Sequence, residues 1–376
     1  MRKGLLYITV LSMMIALSGC GGKAETEKNK ITFEGNAPVS ADSGQEGNQT
    51  EETEKGTFSY LTGLPTTKEL LNSRPVAVML NNIKAGCPQS GIAEAAIVYE
   101  APVEGRITRL MAIYEDYQNL EKVGSIRSSR DYFVYLALEY DAIYTHFGQA
   151  TMYVGDLLNS DRVDNISGAV SGIQKPATKT FYDESGRKAP HQKYMTSEGL
   201  IKDIERLGYR TDLREDYQSK FVFATEEQPI NFVNAKDVSV IYPGGKGSGK
   251  PNGFSYVEAR FEYNAEDGLY YRYQYGKEHI DELTGEQLAY DNVILQYCHG
   301  EVRDSEDYLA FGCHEDKGKP VQVFTKGKMI PGTWTKMTDN GPASYVDSEG
   351  NPMILSPGKT WICIIWEQYS DDVVME

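Results

Sequence analysis

From Tyr60 onward the apolar positions come in short runs set between polar turns. Residues 75–80, 96–100 and 110–114 are runs of valine, isoleucine, leucine, alanine and methionine with the length and content of buried strands. Between Ser128 and Tyr140 the period changes: Phe133, Leu136, Ala137 and Tyr140 share one helical face, and Ser128 with Asp131 forms a Ser-x-x-acid start signal. Residues 142–147 return to strand-like side chains and stop at Gly148. A second helix is predicted over 197–207, where Leu200, Ile201, Ile204 and Leu207 align and Gly208 stands just past the end. Beyond about residue 225 the helical period fades. Residues 238–242, 256–263, 269–275, 292–298, 321–324 and 361–366 are β-branched or aromatic runs separated by glycine-rich turns. The pattern predicts an α/β domain with a mixed sheet and helices over 58–225, followed by a mostly β domain over 226–376.

The start of the chain follows another rule. Arg2 and Lys3 precede an apolar run of 13 residues, Leu5 to Leu17, and then comes Leu17-Ser18-Gly19-Cys20. A helix of that length covers roughly 20 Å, short of the roughly 30 Å hydrocarbon core, so residues 1–19 read as a signal peptide rather than a span. Small residues before a cysteine at the end of such a run resemble the lipobox of bacterial lipoproteins. That resemblance implies a diacylglyceryl group on Cys20, and two acyl chains make a stable anchor. Residues 20–57 then form a tether: past Cys20, only Ile31, Phe33 and Val39 are large or branched apolar side chains, too few to offset the entropy of ordering. As a flexible coil the tether would have an end-to-end distance of about 33 Å.

Composition narrows the function classes. With 376 residues, 40% hydrophobic and 24% charged, the chain has the make-up of a globular protein and not of a collagen, a coiled coil or a wholly disordered polymer. Lysine and arginine number 38 against 54 aspartates and glutamates, a net charge of −16 that repels nucleic acid and anionic lipid heads alike. Membrane contact therefore has to come from the anchor.

Two motifs are discounted. Gly244-Gly-Lys-Gly-Ser-Gly249-Lys250 begins like a phosphate-binding P-loop, but Pro251, Asn252 and Gly253 follow where a Ser or Thr and a helix are required. A flexible hairpin turn is expected. The pairs Cys298-His299 and Cys313-His314 would point to opposite faces of a strand, so no metal is expected there. Buried thiols, or up to two disulfides among Cys87, Cys298, Cys313 and Cys363, are the expectation instead. No cofactor signature is present.

A more specific pattern spans the first region. Arg74-Pro-Val-Ala-Val-Met-Leu-Asn-Asn82, Pro88-Gln-Ser-Gly91, Val98-Tyr-Glu-Ala-Pro-Val-Glu-Gly105, Val123-Gly-Ser-Ile-Arg-Ser-Ser-Arg-Asp131 and Arg187-Lys-Ala-Pro-His191 occur in this order. With Thr284-Gly-Glu-Gln287, Asn292-Val-Ile-Leu-Gln296, Gly332-Thr-Trp-Thr-Lys336 and Gly358-Lys-Thr-Trp-Ile362, they resemble the YerB family of bacterial lipoproteins, a domain of unknown function found mainly in Gram-positive Firmicutes. Cys87 departs from the basic residue expected before Pro-Gln-Ser-Gly, and Gln192 from the asparagine expected after His191. The resemblance implies location on the outer face of the cytoplasmic membrane and no established reaction.

A site can still be proposed from residue types. Arg127 and Arg130 flank the start of the first helix, whose free N–H groups favour an anion. His146 lies near the end of a strand, where open α/β sheets place ligands. Arg187 and His191 precede the second helix, and Glu100 and Glu104 follow another strand. Converged, these side chains would hold a carboxylate, phosphate or sugar; alternatively, the arginines pair with Glu100, Glu104 or Asp131 merely to order loops. No nucleophile–base set is visible, so a non-catalytic envelope protein that binds a wall polymer or a membrane-protein partner is expected. The alternatives are a hydrolase or lyase of wall glycan, with Glu100 and Glu104 as acid and base about 5 to 9.5 Å apart, and a transporter's solute-binding subunit.

Overall fold

The structure is a computed structural model that describes residues 56–168 and 175–376. The expected signal peptide, Cys20 and residues 20–55 of the tether lie outside the described residues. Among the described residues, no helix is long and apolar enough to cross a membrane.

One mixed sheet of 11 strands among the described residues organises the fold. Its main path runs Lys236–Asp237, Lys328–Lys336, Asp316–Thr325, Asn292–Cys298, Thr360–Trp366, Ile97–Val103, Ile107–Tyr114, Val76–Leu80, Ile143–Phe147 and Asn165–Gly168. The N-terminal part is a mixed sheet with a few helices and the C-terminal part is mostly β, as the hydrophobic pattern predicts. At the middle, Ile97–Val103 pairs in parallel with Thr360–Trp366, placing Glu100 opposite Cys363. The sheet therefore runs without a break from one region into the other.

Alternation along the strands fills two cores. Ala77 and Met79 face one cluster with Phe133 and Leu136, from the helix Asp131–Leu138. Val76, Val78 and Leu80 face the other, with Leu200 and Ile204 from the helix Ser197–Leu207 and with Phe261 and Tyr270 from a second, smaller sheet. Both helices cover the sheet with their apolar sides, which is why its central strands are buried on both faces. The helix at 197–207 starts on the Thr196 hydroxyl, which accepts from Gly199 N–H, and ends on Gly208 at φ +68°. The earlier helix begins at Asp131, three residues after the Ser128 signal, because the backbone N–H of Ser129 bonds the Gly148 carbonyl and holds the segment extended.

The decoy at 244–250 is a loop without helix. Lys250 binds Asp372 and Lys246 binds Glu376, so its lysines are tied to the C-terminal segment. Among the described residues no cluster of three or more His, Cys, Asp or Glu side chains is arranged to hold a metal.

Candidate functional site

Val76–Leu80 and Ile143–Phe147 are parallel neighbours, and their carboxyl ends open at the same edge. The segment 125–127 threads between them there: Asn81 N–H donates to the Ser125 carbonyl, Arg127 N–H to Met79, and Phe147 N–H to Arg127. Arg127 is thus held by backbone pairing at the position where open α/β sheets bind ligands. Its Nη1 donates to the Pro190 carbonyl at 3.2 Å, while its Nε is buried without a hydrogen-bond partner. Among the described residues no carboxylate lies within ion-pair distance of it.

His191 sits beside Arg127 on the same loop as Pro190. Its tautomer follows from its neighbours. The Asn81 Oδ1 accepts Ile83 N–H, so the amide nitrogen faces His191 Nδ1 at 2.8 Å and donates to it. Nδ1 is therefore an acceptor, and the ring proton sits on Nε2. Burial, then the charges of Arg127 and Arg187, hold the His191 pKa below its ordinary value and keep the ring neutral. Gly86 makes this possible: a Cβ there would lie 2.2 Å from the Asn81 amide nitrogen.

Arg187 reaches into the same edge from the opposite side. It donates to the Cys87 and Pro88 carbonyls at 3.3 and 2.9 Å and to Glu282 at 2.8 Å. Arg130 turns to Glu104 through both Nε and Nη2 and lies 5.2 Å from the Tyr308 ring centre. A third arginine, Arg109, donates to the Ser128 carbonyl at 2.8 Å and stands 3.9 Å from Glu104. Burial is the largest influence on its guanidinium, followed by Arg130, with partial relief from Glu104; its pKa is pulled down to about 9. The Arg127 pKa is lowered too, by burial and then by Arg130. Burial alone would raise the Glu104 pKa, but its hydrogen bond and charge contact with Arg130 outweigh this and lower it. Two guanidinium groups, Arg130 and Arg109, thus share the Glu104 carboxylate, and Arg127 has none among the described residues.

The structure brings together Arg127, His191 and Arg187, and sets the Arg130–Glu104 pair beside them. It does not bring in Glu100 or His146. Glu100 is fully buried and accepts from Asn82, Thr108, Arg272 and Trp361, so it closes the core between the two sheets. His146 is also fully buried. Its Nδ1 lies 2.8 Å from the Gly148 carbonyl and its Nε2 2.6 Å from Ser167 Oγ; burial pulls its pKa down to about 4.

Residue types and spacing do not single out Arg109, Asn81 and Gln89 as neighbours of the candidate site. Gln89 donates to the Asn81 carbonyl and accepts from His279, completing the frame behind His191. Asn81 and Gln89 stand inside the family-like segments, a signal that was present; Arg109 is one charge inside an apolar strand and carries none.

Several of the family-like segments meet at this edge, and comparison with known proteins supports the family they resemble. Residues 61–210 match the family described as Protein of unknown function (DUF3048) N-terminal domain, and residues 252–362 match its C-terminal domain. A Bacillus subtilis (strain 168) protein described as "Putative lipoprotein YerB" is 31% identical over 315 residues, 84% of this chain and 88% of that protein. The crystal structure of YerB from Bacillus subtilis superposes with a TM-score of 0.70 at 27% identity, covering 85% of this chain and 99% of that one. The chain belongs to the YerB-like family of two-part proteins built from the DUF3048 N-terminal and C-terminal domains.

Proposed function

We propose that this protein is a lipoprotein anchored through Cys20 to the outer face of the cytoplasmic membrane, and that it binds an anionic group of a wall polymer without turning it over. The single observation that carries the binding reading is Arg127: a half-buried guanidinium with an unused Nε, no carboxylate partner among the described residues, and a neutral imidazole N–H beside it. In a chain of net charge −16, gathering arginines around one glutamate costs electrostatic energy that a bound anion would offset. Arg127 would supply charge and direction, and His191 Nε2–H a second donor at an angle to it. Phosphate and carboxylate groups of wall polymers are the anions available at that surface. The hydrolase reading needs two carboxylates facing one sugar, and Glu100 has its oxygens occupied inside the core.

Calorimetric titration with phosphate-bearing wall glycan and with muropeptides tests this reading. Arg127→Ala should weaken binding by about 1.5 to 3 kcal/mol, the range for hydrogen bonds to a charged group. Absence of any heat with either probe for the unaltered protein would overturn it. The anchor is tested separately by radiolabelled palmitate: Cys20→Ala should abolish incorporation, and equal label in the variant would remove the lipid from the proposal.

A further inference from the structure

Cys298 and Cys313 end the two arms of a hairpin, with strands Gly300–Val302 and Leu309–Phe311 between them. The pairing Gly300↔Phe311, Glu301↔Ala310 and Val302↔Leu309, continued outward, sets Cys298 directly opposite Cys313. The hydrogen bonds fix the type of that position. Arg303 N–H donates to the Tyr308 carbonyl and Gly312 N–H to the His299 carbonyl, so the hydrogen-bonded pairs are the odd-numbered positions of the first arm. Cys298 and Cys313 therefore form a non-hydrogen-bonded pair, the kind whose Cα atoms approach to about 4.5 Å, inside the span a disulfide bridges. Their sulfurs lie 3.9 Å apart, and both side chains are fully buried. Cys363 lies in the middle of its strand and Cys87 in a loop beside Arg187, each without a cysteine in hydrogen-bond contact among the described residues.

We infer that Cys298 and Cys313 are a single dithiol that closes to a cross-strand disulfide when the chain folds outside the cell. One thiolate attacks the disulfide of an external oxidant, such as oxidised glutathione or the active disulfide of a thiol oxidoreductase, and releases one oxidant thiol. The second cysteine then attacks the mixed disulfide, the oxidant leaves as its other thiol, two protons are lost, and two electrons have passed to the oxidant. Because both sulfurs are buried in the finished fold, the exchange takes place before the hairpin docks or when it opens. The consequence reaches the candidate site: this hairpin carries Arg303, which pairs with Asp131, and Tyr308, which covers Arg130. Closing its base restrains that wall.

The proposal takes only the source of the oxidant from the extracytoplasmic reading, and refolding in vitro tests the pairing independently of it. The full chain is reduced, unfolded in guanidinium and refolded in a glutathione redox buffer, then alkylated and digested. The expected result is one cross-link joining the peptides of Cys298 and Cys313, with Cys87 and Cys363 alkylated. Reduction should then lower the thermal midpoint by about 4 to 5 °C, from the loop-closure effect of a ring of this length in a folded region of this size. Cys313→Ser should abolish the difference and Cys363→Ser should retain it. Alkylation of both Cys298 and Cys313 in the refolded protein, or a cross-link to another cysteine, overturns the inference even if neither variant folds.

Discussion

Two clusters in this protein gather more cations than carboxylates, and they treat the excess differently. Inside the core, Glu139 holds Lys220 at 2.7 Å and Lys336 at 3.0 Å, and all three side chains are fully buried. Lys220 also donates to Tyr99 OH and has the rings of Tyr99 and Tyr345 within 5.3 and 5.1 Å, while Lys336 donates to the Tyr135 carbonyl. Every charged group there is matched by hydrogen bonds and aromatic faces, and nothing outside can enter. At the sheet edge, Arg127 keeps a donor unmatched and reaches a half-exposed loop. An excess of positive charge alone does not mark a binding site; in the function proposed above, the mark is a cation left without a carboxylate at the sheet edge.

The largest expected effect breaks the closed cluster. Glu139→Gln leaves two buried lysines without their carboxylate and should cost about 3 to 5 kcal/mol, read from the urea midpoint. A loss below about 1 kcal/mol would show that the cluster does not depend on this carboxylate. Next, Arg127→Ala and Arg130→Ala should separate. The first should weaken anion binding by about 1.5 to 3 kcal/mol with little change in stability. The second should lower stability by about 1 to 3 kcal/mol, because it frees Glu104 in a partly buried place, and should change binding less. Equal binding losses would join Arg130 to the ligand shell.

The smallest effect concerns a carboxyl group with no cationic partner among the described residues. Glu115 has a buried oxygen without a hydrogen-bond partner, and burial, with a smaller push from Asp116, raises its pKa to about 7 despite a hydrogen bond from Ser59. The folded protein thus holds this proton more tightly than the unfolded chain, so stability should fall as pH rises from about 4.5 to about 7. Glu115→Gln should remove that slope and gain about 1 to 2 kcal/mol at pH 8. Parallel stability-versus-pH curves for variant and parent would refute the assignment.

How much of this was legible in the sequence depends on whether the deciding contacts are local. The strand Asn292–Cys298 and the helix Ser197–Leu207 were readable from their periods and caps. The helix Thr151–Asn159 was not, because Thr151, Val154 and Gly155 are weak helix formers and its packing on the sheet selects it. Lys328–Lys336 was hidden by Pro331 and Gly332, which argue against a strand until its partners at Asp316–Thr325 are seen. His146 shows the same limit at the site. A strand-end histidine looks available, and only the arrival of Ser167 from a neighbouring strand takes it out of reach. Arg127 was legible as a charge, but its lack of a carboxylate is a property of the whole fold.

The parallel pairing of Ile97–Val103 with Thr360–Trp366 also bears on the order of events during synthesis. Glu100 and Cys363 are neighbours in the sheet but 263 positions apart in the chain. Closing so long a loop delays the central contact until nearly all of the polypeptide has emerged, and such non-local contacts fold slowly. Until then Ile97–Val103 has an open edge able to pair with the wrong strand.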